Sequence, residues 1–215
     1  FYHAFTLDFR GRAYTICELL SPQSSDFDKG LVCFANGVKV NEEGRYWQKV
    51  NVANLFDQDN LSLSDRVKWT EENWEMLEKI KEDPYSNKEW IDTRKKKNKS
   101  FQRLAAVLDM LREDGMSYVP VQIDGNCNGS QHWSAIMKDK PIGEKVGIVP
   151  TNLPPDLYQY IADSTTEYCN LKRTEKKWCK NFLEFWNEKI DRKVTKRSTM
   201  CDPYGLTFYG IQKYL

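Results

Sequence analysis

The sequence predicts an α+β chain, predominantly helical, on three observations. Apolar residues recur at helical spacing through much of residues 42–113. Strand-like runs appear only within residues 1–20 and 117–124. The 215 residues are 40% hydrophobic and 13% aromatic, enough for a packed core in one compact mixed unit.

Each element follows in order. Residues 1–20 read as extended, and Gly11 marks a tight turn between Asp8-Phe9-Arg10 and Arg12-Ala13-Tyr14. Ser21-Pro22-Gln23-Ser24-Ser25-Asp26 is a loop, and a short helix over 27–36 is expected to end near Gly37. Residues 42–56 place Tyr46, Trp47, Val50 and Ala53 at helical spacing. Ser64 is the expected N-cap of a helix running to about residue 82, stopped by Asp83-Pro84. A further helix is expected over 86–113, with Leu104, Val107, Leu108 and Leu111 on one face. The period then changes, and a strand over 117–124 delivers Asp124 at its end. A short helix over 130–138, one opened by Pro154-Pro155 and a charged one over 172–190 complete the chain.

Charge and cysteine content exclude several classes. With 32 Lys+Arg and 31 Asp+Glu, the chain is neither a uniformly basic nucleic-acid coat nor an acidic tail. The charge is uneven, however: residues 170–215 hold 11 basic and 5 acidic residues, and the remainder holds 21 and 26. That pattern points to a local anion site or to a solvated helix face. The run over 94–99, five basic residues in six, has the same two readings, a solvated face or a phosphate track. Six cysteines lack CxxC spacing and are too sparse for a disulfide scaffold, so buried thiols are expected. HExxH and GxxxxGK[ST] are absent, which removes the zinc-protease and P-loop readings. No apolar run approaches the ~20 residues of a membrane span.

Two stretches carry chemistry. Asp124 at a strand end, followed by Gly125, can hold a hard cation where backbone and substrate approach closely, though an Asp-Gly in an ordinary turn looks the same. Arg192, Lys196 and Met200 are four apart on one helix face, so two cations one turn apart can grip a polyphosphate. Tyr204 lies two turns beyond Lys196 and offers a stacking surface. Pro203 lacks a backbone N–H and is expected to kink the helix just before Tyr204. A metal-binding carboxylate and a cationic helix together suit nucleotidyl transfer.

Three motifs in order resemble one family. Asp8-Phe9-Arg10-Gly11-Arg12 looks like the DxxGR motif of single-subunit RNA polymerases of phage and mitochondrial type. Asp124-Gly125-Asn126-Cys127-Asn128-Gly129-Ser130-Gln131-His132 is similar to their motif A. Val194-Thr195-Lys196-Arg197-Ser198-Thr199-Met200, followed by Tyr204-Gly205, resembles their motif B helix. Asp156-Leu157-Tyr158 and the approach from Asn181 to Arg192 share the likeness, which spans essentially all of the chain. It implies a right-hand polymerase segment: the DxxGR region over 1–20, palm motif A over 117–138, and fingers with the motif B helix over 154–215.

The roles below are those the resemblance implies. Asp124 would be one of two aspartates binding two Mg²⁺ ions, helped by the Gly125 carbonyl. Arg192 and Lys196 would contact the triphosphate, with Lys196 protonating the pyrophosphate. Tyr204 would sit beside the incoming base pair and help select ribonucleotides, and Tyr158 would line the same site. Arg10, Gly11 and Arg12 would meet the nucleic-acid backbone. Related DNA polymerases carry glutamate five residues after the motif A aspartate, where its bulk blocks a 2′-hydroxyl. Gly129 stands there in this chain, which favours ribonucleotides, and Gly129→Glu is expected to weaken their use.

The expected partners are a DNA template, an RNA product and ribonucleoside triphosphates, with no membrane, in an enzyme that is monomeric when full length. Asp202-Pro203 departs from the small or apolar pair usual in the family and bears on the placement of Tyr204. The second aspartate, in a His-Asp-Ser-like motif, is not in this sequence, so the segment alone is expected to be inactive. Phe1 at the start fits a slice of a longer chain. The expected setting is the host cytoplasm of a phage, or else a mitochondrion. The rivals are a related DNA polymerase and a non-catalytic nucleic-acid-binding module that keeps the basic helix without the chemistry.

Overall fold

A computed structural model describes residues 2–93, 98–123, 125–151 and 153–213. The fold is α+β and predominantly helical, as expected, but the chain divides into two compact units, Phe1–Ile123 and Asp124–Leu215, rather than one.

The first unit opens with an antiparallel hairpin of β1 (Phe5–Leu7) and β2 (Ala13–Thr15), with Phe5 opposite Thr15. Gly11 turns it at φ +74°, a conformation that costs glycine little. Helix α1 (Asp26–Leu31) starts in a reciprocal capping box between Ser25 and Asp28 and stops at Leu31, earlier than expected. Gly37 is not its cap: a Cβ there would run into the Tyr118 ring, so the glycine serves close packing. Strand β3 (Val38–Lys39) follows, then α2 (Glu42–Leu55), capped by Asn41.

The helix expected over 64–82 is two helices, α3 (Leu63–Glu72) and α4 (Trp74–Glu82), and Ser62 rather than Ser64 caps the first. The break falls at Asn73, whose side-chain amide donates to Trp69 O at 2.8 Å and so competes with the helix ladder. The helix expected over 86–113 shortens to α5 (Ser100–Met110). Its N-terminus is capped from far away in sequence: the Asp26 carboxylate accepts the N–H groups of Phe101 at 2.8 Å and Gln102 at 3.3 Å. Of the basic run at 94–99, residues 94–97 lie outside the described residues.

The core of this unit joins Val52 of α2, Leu77 and Ile80 of α4, and Ala106, Val107 and Met110 of α5. Arg103 is buried beside it. Its guanidinium donates to Leu55 O at 2.7 Å and Asp57 Oδ2 at 2.6 Å, and lies 3.4 Å from Asp92 Oδ2. The strand expected over 117–124 is confined to β4 (Met116–Ser117), paired with β3. Beyond it the buried Asp109 carboxylate replaces the ladder, accepting from Ser117 Oγ at 2.5 Å, Tyr118 N at 2.8 Å and Val119 N at 3.3 Å. Pro120 has no N–H to offer a neighbouring strand.

In the second unit α6 (Asn128–Met137) and α7 (Lys140–Val146) are joined by a tight connection. Helix α7 is an element the sequence reading does not contain; Asp139 caps its start and Gly147, at φ +78°, its end. Helix α8 (Leu157–Lys172) begins at the Asp156 N-cap just after Pro154-Pro155, and α9 (Lys177–Phe185) is shorter than the 172–190 expected. Helix α10 (Arg192–Cys201) packs on α8, and α11 (Phe208–Gln212) ends the described chain. Two small cores hold the unit, one of Cys127, Val146, Leu157 and Tyr158, the other of Cys169, Cys179 and Leu183. Among the described residues no helix is long and apolar enough to cross a membrane.

Candidate active site

Helix α10 presents its cations because Asp191 starts it and Thr195 anchors it. Asp191 accepts Lys193 N–H at 2.6 Å, which satisfies one of the orphan donors of the first turn. Thr195 is buried and its hydroxyl donates to Tyr158 O at 2.8 Å, pinning the inner face of α10 to the first turn of α8. One residue on from Thr195, Lys196 is exposed.

Arg192 and Lys196 converge on one ring. The Arg192 guanidinium carbon lies 5.3 Å from the Tyr158 centroid and Lys196 Nζ lies 5.9 Å from it. Arg192 Nε also donates to Asp156 Oδ2 at 2.6 Å, and Asp156 uses its other oxygen to cap α8 at Gln159 N, 3.1 Å away. Asp156 therefore orients the guanidinium through Nε and leaves the two Nη groups out of that bond. A groove of about 500 Å³ opens beside Arg192, lined by Gln159, Trp186, Asn187 and Asp191 among others.

Tyr158 also reaches toward the loop after Asp124. Burial, together with a hydrogen bond to the Cys127 thiol, pushes its hydroxyl up to about 12, against the opposing pull of Arg192. It stays a neutral donor at ordinary pH. Cys127 is buried, adopts a left-handed backbone at φ +58°, and starts α6. Asn126 Nδ2 donates to Pro155 O at 2.9 Å, a second tie between this loop and the start of α8.

At Gly125 a Cβ would meet the Asn128 amide, 2.7 Å from its Cγ, so a side chain there would require the amide to turn aside. Asp124 itself lies outside the described residues. Among the described residues no group of three or more His, Cys, Asp or Glu is arranged to hold a metal ion.

The chain from Cys201 to Gly205 resolves the expected kink. The α-helix ends at Cys201 and tightens into a 3₁₀ turn over Asp202–Tyr204, with Pro203 in its first turn. Gly205 closes it at φ +79°, its N–H donating to Asp202 O at 3.0 Å. The turn rests on Gly129: a Cβ built there would lie 2.9 Å from Pro203 Cγ, closer still to Pro203 Cβ, and 3.7 Å from Tyr204 Cζ. So Gly129, Pro203 and Tyr204 meet, and the space that a side chain at 129 would need is occupied by the proline.

In the first unit, Asp8 organises the DxxGR hairpin. Its carboxylate accepts the N–H groups of Arg10 at 2.9 Å and Arg12 at 3.0 Å, and the Arg10 guanidinium through Nε at 2.9 Å and Nη2 at 2.7 Å. The Arg12 N–H is the largest influence holding Asp8 below its usual range. Arg10 is thus engaged within the turn, and Arg12 is exposed. A cavity of about 610 Å³, also in the first unit, holds cations that are already spent: Lys49 pairs with Glu71, Lys81 with Glu113, Arg112 with Asp114, and Arg45 donates to Met110 O.

The sequence singles out Arg192, Lys196 and Tyr204 from their residues, and Tyr158 and Gly129 through the family resemblance, but gives no role to Asp156, Thr195 or Cys127. An Asp directly after Pro-Pro is a readable N-cap signal; its second job, holding Arg192 across 36 residues, is not.

Residues 38–215 match the family model described as DNA-dependent RNA polymerase. A mitochondrial DNA-directed RNA polymerase of Neurospora crassa is 34% identical over 222 residues, covering 99% of this chain and 15% of that enzyme. One of Schizosaccharomyces pombe is 30% identical over 100% of this chain and 19% of its own length. The RNA polymerase of Escherichia phage T7 is 28% identical over 97% of this chain and 26% of its own length. This chain therefore spans about a quarter or less of these relatives, and with the family model covering most of it, it belongs to the DNA-dependent RNA polymerase family of phage and mitochondrial type.

Proposed function

We propose that this chain forms part of the nucleotide-addition site of a DNA-directed RNA polymerase. The observation that carries this reading is the convergence of Arg192 and Lys196 of α10 on Tyr158, which is itself tied to Cys127 of the loop after Asp124. Residues 1–20 would form the DxxGR region, 117–138 palm motif A, and 154–215 the fingers with the motif B helix. A DNA template, an RNA product and ribonucleoside triphosphates would be its partners in a single-chain enzyme. The setting would be a phage-infected cytoplasm or a mitochondrion, since the relatives include a phage enzyme and a mitochondrial one.

Arg192 supplies a planar fork to the triphosphate, held in orientation by Asp156. Lys196 supplies a mobile point charge and a proton for the departing pyrophosphate. Tyr158, neutral and buried, backs both cations and keeps them on one side of α10. Tyr204, on its 3₁₀ turn, offers a ring to the incoming base pair beside Gly129. Arg12 meets the nucleic-acid backbone, while Arg10 stiffens the hairpin. Asp124 and the Gly125 carbonyl would hold the ion through oxygen donors alone, a chemistry that suits Mg²⁺ and not a soft metal. When bound, that ion lowers the pKa of the attacking hydroxyl and neutralises phosphate charge.

The test is templated extension by the full-length enzyme. Lys196→Ala is expected to lower kcat/KM for ribonucleotides by about 10²-fold or more, as for loss of one charged transition-state contact. Asp124→Asn is expected to abolish extension while promoter binding persists. Extension that survives Asp124→Asn refutes the assignment of that carboxylate, and incorporation of deoxynucleotides as readily as ribonucleotides refutes the RNA polymerase reading.

A further inference from the structure

We propose that Pro203 is the positioning residue for Tyr204, and that Gly129 governs sugar selection through Pro203 rather than only by leaving room for a ribose. This rests on the proposed polymerase function.

Tyr204 is 68% exposed, and no hydrogen bond to its hydroxyl occurs among the described residues. Its own side chain therefore does not fix it, and the backbone that carries it must. That backbone is held at three points. The α10 helix ends just before it, Gly205 closes the turn behind it, and the Pro203 ring bears on Gly129 in the first turn of α6. The first two fix the turn only relative to α10. The third registers it against α6, the helix that follows the Asp124 loop.

A proline ring suits this task because it is closed onto its own nitrogen. It cannot swing to another rotamer, and its φ is confined near −65°. A methyl at 129 would lie 2.9 Å from Pro203 Cγ, which is too close to persist. The nearest atom is Pro203 Cβ, which no rotamer can move, and the ring ties Cγ to the same backbone, so relief must carry the whole 3₁₀ turn, and Tyr204 with it. Gly129→Ala thus displaces Tyr204 even though a single methyl is far smaller than a glutamate.

The experiment measures ribonucleotide over deoxyribonucleotide preference, as a ratio of kcat/KM, in the full-length polymerase. Gly129→Ala is expected to reduce this ratio about tenfold, the scale of a one-methyl overpacking. Pro203→Gly alone, which removes the Cβ and the ring together, is expected to reduce it by a few-fold, since the turn keeps its cap but loses its rigid stop. In the double variant of Gly129→Ala with Pro203→Gly, both the Pro203 Cβ and the ring that the methyl would strike are gone, and the ratio should return to that of Pro203→Gly alone. In a Tyr204→Ala background neither substitution should change the ratio further. The Pro203→Gly and Tyr204→Ala pair overpacks nothing, so this arm stands even where Gly129→Ala fails to fold.

A purely structural contact would lower turnover of both sugars and leave the ratio alone. That result overturns the inference, as does a double variant whose effect is the product of the two singles. Failure of the polymerase reading looks different: the unmodified enzyme would incorporate no ribonucleotide at all.

Discussion

Replacing Arg103 by alanine is expected to be among the most damaging single changes in the first unit. Its side chain is 8% exposed, and it serves Leu55 O, Asp57 and Asp92 while lying 5.2 Å from the Phe56 centroid. Removing it takes a buried cation away from the Asp92 carboxylate, whose side chain is 3% exposed, and two donors from Leu55 O and Asp57. Breaking a buried ion pair from one side costs about 3–5 kcal/mol, because the remaining group loses a desolvated opposite charge. Asp57 is 38% exposed and water will compensate it, which places the expectation at the lower end, about 3 kcal/mol. At a urea slope of about 2 kcal/mol/M, the midpoint should fall by roughly 1.5 M. Hydrogen exchange locates the effect: amides of α2 and α5 should lose protection, and those of α8, in the other unit, should not. Glu75→Ala, which breaks the exposed pair with Lys79, should leave the midpoint in place. A midpoint shift for Arg103→Ala below about 0.5 M would falsify the claim that this pair is energetically buried.

Other expectations follow from single contacts. Asp26→Ala leaves two N-terminal donors of α5 without their distant acceptor and should cost about 0.5–2 kcal/mol, read as a shifted unfolding midpoint. Asp28 is held down to about 2, chiefly by the Ser25 hydroxyl and then by the Leu20 N–H. Its contribution is therefore complete above about pH 4 and is lost as pH falls through about 2; Asp28→Asn should flatten that limb of an acid titration followed by circular dichroism. Tyr158, raised to about 12 by burial and Cys127, contributes stability that is complete below about pH 10 and lost as pH rises through about 12. Tyr158→Phe should remove the last-titrating phenol from the alkaline absorbance curve; an unchanged curve would count against the buried hydroxyl.

The sequence alone determined the local features, because those depend on near neighbours. The Gly11 turn, the α2 register and the α8 start after Pro154-Pro155 each rest on residues a few positions apart. The spacing of Arg192 and Lys196 likewise placed two cations on one helix face without any knowledge of the fold. Only the tertiary structure decided what depends on distant partners. Helix α5 begins at Ser100 because Asp26 caps it from α1, and no pattern in residues 86–113 records that. The expected strand over 117–124 shrank to two residues because Asp109, on a helix, took the N–H groups a neighbouring strand would have bound. Within the site, sequence named Arg192 but not the carboxylate that aims it, and it named Pro203 as a kink but not as a ring bearing on Gly129. Spacing along one element is written in the chain; which side chains meet across elements is set by packing, where a carboxylate or a proline ring fits only once the helices have met.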